Sequence, residues 1–248
     1  YTDSSFKDKT ILVTGAGGSI GLQLCNQIIK ANPSRLIILD NSEPSLYLCN
    51  KKLIEKSINI IPILGDASDE KLVDKIFSSH KISFVFHSAA YKHVPIVELN
   101  PIQGLKNNIF STYVMCKMAI KYDIEKLTLI SSDKAVRPTN IMGASKRFSE
   151  LIIQAFDYEI NKNNAKNLNK CKTKLSMVRF GNVLDSSGSV IPKFRKQIKH
   201  RVPITLTHPE ISRYFMTIQE AAELVIQASA MSDGGDIFLN LNNNKRYF

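Results

Sequence analysis

The sequence contains no apolar run that approaches the ~20 residues needed to cross a bilayer, so it predicts no transmembrane helix. It also lacks a signal-peptide pattern at its start. Its 4 cysteines lie far apart with no C-x-x-C pair, which excludes a zinc pattern and a small disulfide framework. His87 and His93 have no carboxylate or Cys partners at metal-ligand spacing, so we expect no metal. These absences favour a reducing, cytoplasmic compartment.

The composition is that of an ordinary globular protein. The 248 residues are 44% hydrophobic and 22% charged, enough for one well-packed domain or one domain plus a small lobe. The net charge of +11 is concentrated in residues 161–201, which hold 11 Lys/Arg and one acidic residue. Such a segment suggests a polyanion, a phosphorylated ligand or an acidic membrane surface, although a solvated Lys/Asn-rich loop at 161–170 explains part of it equally well. A first residue of Tyr suggests an excised or processed form.

Short β-branched runs alternate with amphipathic stretches along the first 180 residues. Runs that are apolar on both faces suit buried parallel strands, and they lie at 10–14, 35–40, 58–64, 82–88 and 126–131. Helical spacing occurs between them, at 19–30, 45–56, 69–79 and about 101–122. The alternation predicts an α/β fold, a Rossmann-like doubly wound parallel sheet over residues 1–180.

The pattern changes after Phe180. The Gly/Ser-rich stretch GNVLDSSGSVIP reads as a loop, and shorter elements follow it. We expect a helix at 190–200, a strand near 203–206, a helix at 217–231 and a strand at 236–241. These elements predict a small C-terminal substrate lobe, present in part, over residues 181–248.

A glycine-rich turn follows the first strand directly. Gly15, Gly18 and Gly21 stand at G-x-x-G-x-x-G spacing and open the first helix. Glycine permits a tight turn, and a helix N-terminus attracts an anion such as a pyrophosphate. The second strand then ends at Asp40, where an acidic residue can accept hydrogen bonds from an adenosine ribose. This conjunction predicts a dinucleotide-binding site.

The same region bears on the choice of cofactor. A carboxylate at Asp40 repels a ribose 2′-phosphate and Asn41 follows it, so NAD is favoured over NADP, although Arg35 keeps NADP open. Asp66 follows the third strand, where it is expected to contact adenine, to cap the helix before Lys71, or both. The residues assigned to cofactor binding are Gly15, Gly18, Ser19, Ile20, Gly21, Asp40, Asp66, Ala67, Ala89, Ala90 and Lys146.

The segment LISSDKAVRPTNIMGASKR, residues 129–147, leaves a strand, turns, and begins a helix that carries Lys146. It resembles the active-site segment of the extended short-chain dehydrogenase/reductase family, and more narrowly that of the UDP-N-acetylglucosamine 4,6-dehydratases of bacterial surface-sugar synthesis. The stretches HSAAYKHVPIVELNP, NNIFST, RFGNVLDSSGSVIP and ISRYFMTIQEA are similar to the same subfamily. The resemblance covers roughly residues 7 to 240, with several independent motifs in the right order.

One position departs from the wider family, which carries Tyr-x-x-x-Lys. Met142 stands four residues before Lys146, and a thioether has no proton to exchange. The chain is therefore either an inactive enzyme that keeps its cofactor or similar to the branch of these dehydratases that has Met there. The intact run Ser132-Asp133-Lys134 favours the second interpretation and, with it, retention of configuration at C5.

The resemblance implies NAD-dependent 4,6-dehydration of UDP-N-acetylglucosamine to a UDP-4-keto-6-deoxy sugar. Oxidation at C4 makes the C5 proton acidic, a base removes that proton, an acid protonates the leaving C6 hydroxyl, and hydride returns to C6. By resemblance, Asp133 is the acid at C6 and Lys134 is the base at C5, and each role requires a shifted pKa. Ser132 and Lys146 belong to the site, and the base for the C4 hydroxyl stays open.

The UDP-sugar requires groups that recognise a pyrophosphate. Arg213 is the first candidate, with Arg195 or Lys193 as alternatives, because a guanidinium makes bidentate bonds to phosphate. Asn182 follows a predicted strand and is expected to face the substrate, and Lys92 is expected to reach the cofactor or the substrate.

Further expectations come from the resemblance alone. Family members usually continue beyond the point where this sequence stops, and some carry an N-terminal membrane region, which gives a location in the cytoplasm or on the cytoplasmic face of the inner membrane. Asn108 is implied to fix the active-site backbone. The helices at 101–122 and 141–160 often form a dimer face in this superfamily, so we expect a homo-oligomer by fold analogy.

Three other functions compete with this one. An epimerase or reductase of the same superfamily usually keeps the Tyr and does not need Asp133-Lys134. A catalytically inactive NAD-binding regulator binds cofactor without turnover. A nucleic-acid binder using residues 161–201 has only Phe180 and Phe194 for base stacking, so we expect no nucleic acid.

Overall fold

The computed structural model describes residues 4–54, 58–168, 170–186, 190–205, 213–239 and 246–247. Ten strands lie within these ranges: β1 Thr10–Thr14, β2 Arg35–Asp40, β3 Ile60–Leu64, β4 Phe84–His87, β5 Lys126–Ser132, β6 Lys174–Phe180, β7 Asn182–Val183, β8 Arg213–Met216, β9 Ile237–Leu239 and β10 Arg246–Tyr247. Seven of them form one sheet in the order β3-β2-β1-β4-β5-β6-β9, in which all neighbours are parallel. The other three form a small sheet in the order β10-β8-β7.

Helices cover both faces of the main sheet. Their bounds are α1 Ser19–Ile29, α2 Glu43–Leu53, α3 Glu70–Ser79, α4 Val94–Leu99, α5 Pro101–Leu105, α6 Ser111–Lys121, α7 Ile141–Ala165, α8 Val190–Lys199 and α9 Ile218–Met231. A π-helical turn, Lys106–Phe110, joins α5 to α6, and a 3₁₀ turn, Asp133–Ala135, follows β5. No helix in these ranges is long and apolar enough to cross a membrane.

The strands are buried on both faces because their side chains alternate between two apolar cores. Ile11 and Val13 lie in the core shared with α1, α2 and α9, whereas Leu12 lies in the core shared with α3, α6 and α7. Burying each such side chain contributes about 1.5–3 kcal/mol. The predicted fold class is confirmed: the protein is a Rossmann-like α/β fold with a doubly wound parallel sheet. The strand order reverses between β1 and β4, which opens a crevice at their carboxyl ends.

The last part of the chain differs from the sequence-based expectation. Residues 203–205 form no strand, so that prediction is wrong there, and residue 206 lies outside the described ranges. The unpredicted strand β8 supplies the small sheet instead. The strand expected at 236–241 is found as β9, with residues 240–241 outside the described ranges, and it pairs with β6 in the main sheet.

Helix α9 and strand β9 therefore pack on and extend the main sheet, whereas β10, which follows them, pairs with β8 in the small sheet. The apolar face of α9 packs against α1 through residues such as Ala221, Ala222 and Val225, and β9 covers the edge of β6. An open edge on a buried parallel strand is unfavourable, which gives the physical reason for this return. The chain leaves the main sheet at Phe180 to build the small sheet and comes back with α9.

Candidate functional site

The glycine turn after β1 lies in the crevice. Gly15 has φ +64, and a Cβ at this position would lie 2.7 Å from the backbone of Ala89 in the loop after β4. Glycine is thus required both by the backbone conformation and by this close approach. Gly18 caps α1 without a side-chain hydrogen bond, so backbone N–H groups line the start of the helix. A helix start of this kind suits a phosphate.

Asp40 is 9% exposed and lies against this turn. Its Oδ2 accepts a hydrogen bond from the backbone N–H of Gly17 at 2.9 Å, and its Oδ1 accepts one from Ser42 at 2.9 Å. Arg35 lies at the opposite end of β2, with Nη1 3.3 Å from His80 Nδ1. The guanidinium of Arg35, which left NADP possible as the cofactor on sequence grounds, therefore lies at the end of the strands away from the crevice.

The loop after β3 corrects one expectation about Asp66. Its Oδ1 accepts a hydrogen bond from Ser68 N at 2.8 Å, whereas Asp69 caps α3 by accepting from Lys71 N and Leu72 N. The alternative in which Asp66 caps the helix is therefore wrong, because the chain needs three more residues to reach the helix start. Ala67 is buried in the core below it.

The loop after β4 runs beside the glycine turn. Ala89 N donates to Thr14 Oγ1 at 3.3 Å, and Ala89 and Ala90 are half-buried. Lys92 is exposed at the surface, yet partial burial of its ammonium lowers its pKa. Of the other residues assigned to the cofactor, Ser19, Ile20 and Gly21 form the first turn of α1.

Ser132, Asp133 and Lys134 leave the carboxyl end of β5 together. Asp133 Oδ1 accepts hydrogen bonds from Ser132 Oγ at 3.0 Å and from Lys134 Nζ at 3.1 Å. The side chains of Asp133 and Lys134 are 49% and 31% exposed. They form an ion pair that is open to a ligand from the crevice side.

Lys146 lies behind this run on α7. It is 7% exposed, and its Nζ donates to the carbonyl of Ile130 at 2.9 Å. Burial lowers the pKa of Lys146 to about 8, although the nearby Glu150 carboxylate acts in the opposite direction. Met142 is buried one turn earlier, 3% exposed, and only its backbone carbonyl accepts a hydrogen bond, from Ser145 Oγ at 2.7 Å.

A buried histidine links the glycine turn to the helices opposite. His87 Nδ1 lies 2.7 Å from Thr14 Oγ1, and its Nε2 lies 3.2 Å from Ser111 Oγ. Burial and then the charge of Lys146 lower the pKa of His87 to about 3, so the ring is neutral near pH 7. Sequence reasoning placed His87 at a strand end with local hydrogen bonds, but the partners come from β1 and α6.

Asn108 sits in the π-helical turn and is 2% exposed. Its Oδ1 accepts from Tyr91 N at 2.8 Å, and its Nδ2 donates to Tyr91 O at 3.0 Å and to Ser145 Oγ at 2.8 Å. The carbonyl of Asn108 also accepts from Ser149 Oγ at 2.9 Å. This side chain therefore joins the loop after β4 to α7.

A second buried cluster was missed by sequence reasoning. Glu150 is fully buried, and its carboxylate accepts hydrogen bonds from Ser131 Oγ, Arg179 Nε and Nη2, and Arg147 Nη1. Burial alone raises the pKa of Glu150, but the bonds from Arg179, Ser131 and Arg147 together hold it below the usual value. The segment around Lys146 was the available signal, because Glu150 lies one turn further along α7.

The residues expected to meet the substrate are more scattered. Asn182 is half-buried in β7, which pairs with β8. Arg195 is exposed on α8 and forms an ion pair with Asp185 at 2.7 Å, and Lys193 is exposed on the same helix. Arg213 begins β8, but its side chain lies outside what the structure describes.

The basic stretch 161–201 is partly neutralised by neighbours. Arg179 is bound to Glu150, Arg195 to Asp185, and Lys162 lies 3.6 Å from Glu159. Three of the 11 cations in the stretch therefore have a carboxylate partner. Within the described ranges, no three His, Cys, Asp or Glu side chains come together in a group that can hold a metal ion.

The fold and the glycine turn define a Rossmann-like protein with a dinucleotide-type phosphate turn. The chain matches the protein family described as "Polysaccharide biosynthesis protein" over residues 11–244, and it belongs to that family.

Three known proteins illustrate the similarity. Over 235 residues the chain is 43% identical to the capsular polysaccharide biosynthesis protein CapD of Staphylococcus aureus, covering 94% of this chain and 38% of CapD. It is 33% identical over 240 residues to a UDP-glucose 4-epimerase of Rickettsia canadensis, covering 94% of this chain and 66% of that protein. The solved structure of Pen from Bacillus thuringiensis is 35% identical with TM-score 0.86, covering 94% of this chain and 68% of Pen. The chain thus spans well under half of CapD.

Proposed function

We propose that the chain is the cofactor-binding and catalytic part of an NAD-dependent UDP-N-acetylglucosamine 4,6-dehydratase of the C5-retaining type, acting in bacterial surface polysaccharide synthesis. One observation carries the proposal: a hydrogen-bonded carboxylate and ammonium, Asp133 and Lys134, stand together at the carboxyl end of β5. Lys146 donates to the carbonyl of Ile130 on the same strand. A reaction that removes one proton and one hydroxyl from neighbouring carbons needs such an adjacent acid and base.

The residues of the glycine turn fit NAD. A Cβ at Gly18 would meet only Gly15 O, at 3.2 Å, so the start of α1 is open to a pyrophosphate, and Asp40 suits a ribose with free hydroxyls. Residues 41–45 contain no Lys or Arg to bind a 2′-phosphate, so NAD is favoured over NADP. When bound, NAD supplies the reversible hydride acceptor that the reaction requires.

The Asp133–Lys134 pair provides both proton transfers at C5 and C6. A substrate that covers the pair removes water, and loss of water disfavours the two charges. Transfer of one proton from Lys134 to Asp133 across their 3.1 Å contact then gives a neutral base and a neutral acid. Lys134 takes the C5 proton and Asp133 protonates the leaving C6 hydroxyl, which restores the ion pair. Lys134 afterwards returns its proton to C5 and regains a proton from solvent, while Lys146 releases to solvent the proton taken from the C4 hydroxyl, so the net change is the loss of one water.

Lys146 is the group proposed to handle the proton of the C4 hydroxyl. Burial brings its pKa to about 8, so it exchanges a proton near neutral pH, which the buried thioether of Met142 does not. Ser132, whose hydroxyl donates to Asp133, is proposed to orient the same C4 hydroxyl. The proposed contacts of the nucleotide sugar are Lys92, Asn182, Arg195 and Arg213.

A homo-oligomer is proposed through the outer face of α6 and α7. Large apolar side chains are exposed there, each between 42% and 66%: Phe110, Tyr113, Phe148, Leu151 and Tyr158. An exposed apolar group of this extent on adjacent helices is typical of an interaction surface.

A nucleotide-sugar 4-epimerase is the second candidate, because a Rickettsia relative 33% identical to this chain bears the name UDP-glucose 4-epimerase. Epimerisation does not require an acid–base pair at C5 and C6. Met142 also counts against it, since it stands where the wider family carries its catalytic Tyr. A cofactor-binding protein without activity is the third candidate.

The test is to incubate the protein with NAD and UDP-N-acetylglucosamine in deuterated water and to follow the sugar by NMR and mass spectrometry. We expect loss of water, one deuterium at C5, a C6 methyl group and unchanged configuration at C5. A product that differs only in configuration at C4 supports the epimerase. An unchanged sugar with bound NAD, also in a protein as long as the relatives, rejects both.

Asp133→Asn tests the proposed acid role of Asp133 independently of the other site residues. We expect at least about a 100-fold loss of dehydration with NAD binding unchanged, because an amide does not protonate the C6 hydroxyl. Asp74→Asn is the matched control, since Asp74 forms a similarly exposed ion pair with Lys121 away from the crevice. Equal activity of the two variants contradicts the role of Asp133.

A further inference from the structure

The carboxylate of Glu150 lies where three site-bearing elements meet. It is fully buried on α7, one helical turn after Lys146. Ser131 Oγ, at the end of β5, donates to its Oε1 at 2.6 Å. Arg179, at the end of β6, binds both oxygens through Nε and Nη2.

Each partner adjoins a residue of the proposed site. Ser131 immediately precedes Ser132, Asp133 and Lys134 on β5. Arg179 lies three residues before Asn182, where the chain leaves for the small sheet. A bidentate arginine–carboxylate pair has a fixed geometry, so the two strand ends and α7 are held at set distances from one another.

We propose that Glu150, paired with Arg179, is a positioning residue that locks the ends of β5 and β6 onto α7 and supplies the negative charge that Lys146 faces. The catalytic importance of Glu150 rests on the proposed function. The contacts of Glu150 are independent of it.

Lys146 and Glu150 reach adjacent residues of β5, since Lys146 donates to Ile130 O and Glu150 accepts from Ser131 Oγ, and the Glu150 charge opposes the fall in the pKa of Lys146 that burial causes. The neighbouring titratable groups are paired or neutral. On β4, His87 is neutral near pH 7, because its pKa is about 3. On the turn after β5, Asp133 and Lys134 pair with each other. Arg179 on β6 is bound to Glu150 itself. On α4, the carboxylate of Glu98 accepts from the backbone of Ile141 at the exposed start of α7.

A residue that only stabilises the fold does not change the titration of Lys146, whereas Glu150 does so through its charge. Glu150→Gln keeps one of the two acceptor oxygens but removes the charge, so the ammonium of Lys146 loses stabilisation and its pKa falls. Since this variant leaves Arg179 without a counter-ion, Glu150→Gln combined with Arg179→Met removes both charges and avoids a buried unpaired cation.

The experiment is an NMR pH titration of protein labelled with ¹³C at the lysine ε-carbon, with the Lys146 signal assigned from Lys146→Arg. We expect a wild-type midpoint near pH 8, a midpoint lower by roughly one pH unit in Glu150→Gln, and a smaller fall in the double variant, because that variant also removes the Arg179 cation. Arg147→Met is the matched control: it removes one bond to the same carboxylate but keeps the charge of Glu150, so the midpoint does not fall.

The titration needs no turnover, so its result is independent of the proposed activity. An unchanged midpoint in folded Glu150 variants overturns the inference even if the wild type is a dehydratase. A shifted midpoint supports it even if no dehydration is found. Where turnover is present, the low-pH limb of the kcat profile is expected to move with the midpoint, and a limb that stays in place rejects the link to catalysis.

Discussion

At the carboxyl edge of the main sheet, the loops after β1 and β2 are organised differently from those after β4, β5 and β6. The first pair is held by backbone groups: Gly15 approaches Ala89 without a side chain, and Asp40 binds two backbone N–H groups. The second set is held by buried side chains, chiefly His87, Asn108 and Glu150.

The difference separates two ways of making a site rigid. In the loops after β1 and β2, here called the glycine half, rigidity comes from a turn that only glycine can adopt. A single added atom is therefore enough to disrupt it. In the loops after β4, β5 and β6, here called the side-chain half, several hydrogen bonds together keep the site rigid. One substitution there weakens the site in proportion to the bonds it removes. Substitutions in the two halves are therefore expected to differ in size.

Gly15→Ala is expected to give the largest effect. Its methyl group meets the Ala89 backbone at 2.7 Å and the position has positive φ, so we expect a loss of roughly 3 kcal/mol in stability and no measurable NAD binding. Urea unfolding and calorimetric titration with NAD measure both.

Gly18→Ala is the control within the same turn. Its φ is −72, and the nearest atom to an added Cβ is Gly15 O at 3.2 Å, so the loss of stability is expected to stay below about 1 kcal/mol. Similar behaviour of the two variants contradicts the idea that the close approach at Gly15 organises this half.

Asn108→Ala is expected to give an intermediate effect. It leaves both backbone groups of Tyr91 and the hydroxyl of Ser145 without this partner, which is expected to cost about 3 kcal/mol and to loosen Lys92 and Lys146 together. Asn107→Ala, on the same turn, removes one donor to Asn108 and is expected to cost about 1 kcal/mol. Equal losses in chemical denaturation argue against a special role for Asn108.

His87→Gln is expected to give the smallest effect at neutral pH and a clear one in acid. Between pH 6.5 and the folded pKa of about 3, the unfolded chain binds a proton on His87 that the folded chain does not, so stability falls as the pH falls. From pH 6.5 to pH 5 this amounts to about 2 kcal/mol.

The His87→Gln variant is expected to lack this loss of stability at low pH. Urea unfolding at pH 5, 6 and 7 measures the difference from the wild type. Burial and then the charge of Arg35 also lower the pKa of His80, so His80→Gln serves as a comparison from the opposite edge of the sheet. A pH dependence that is unchanged in His87→Gln refutes the neutral, buried ring.

The glycine half could be predicted from the sequence because the residues that form it lie close together in the chain. The spacing of three glycines and an acidic strand end are local patterns, and the strands β1 and β2 were predicted to the residue. Local patterns also gave the class of fold, since strand–helix alternation allows few sheets.

The contacts of the side-chain half could be predicted only in part from the sequence. Asp133, Lys134 and Lys146 stand in one short segment and could be proposed from it, whereas two partners of Glu150 lie 19 and 29 positions away. The partners of His87 are 73 and 24 positions away. Such pairs depend on the folded neighbourhood, which no window of sequence contains. For the same reason the pairing of β9 with β6 was missed.

The return of the chain to β6 has a consequence for synthesis. β5, the partner on one edge of β6, precedes it in the chain, whereas β9, the partner on the other edge, is synthesised after β7, α8, β8 and α9. During that interval a strand of mostly apolar residues exposes a row of unpaired backbone groups, which invites pairing with another nascent chain. A chaperone that holds this edge, or a pause that delays neighbouring ribosomes, is therefore of most use before residue 237 has left the exit tunnel.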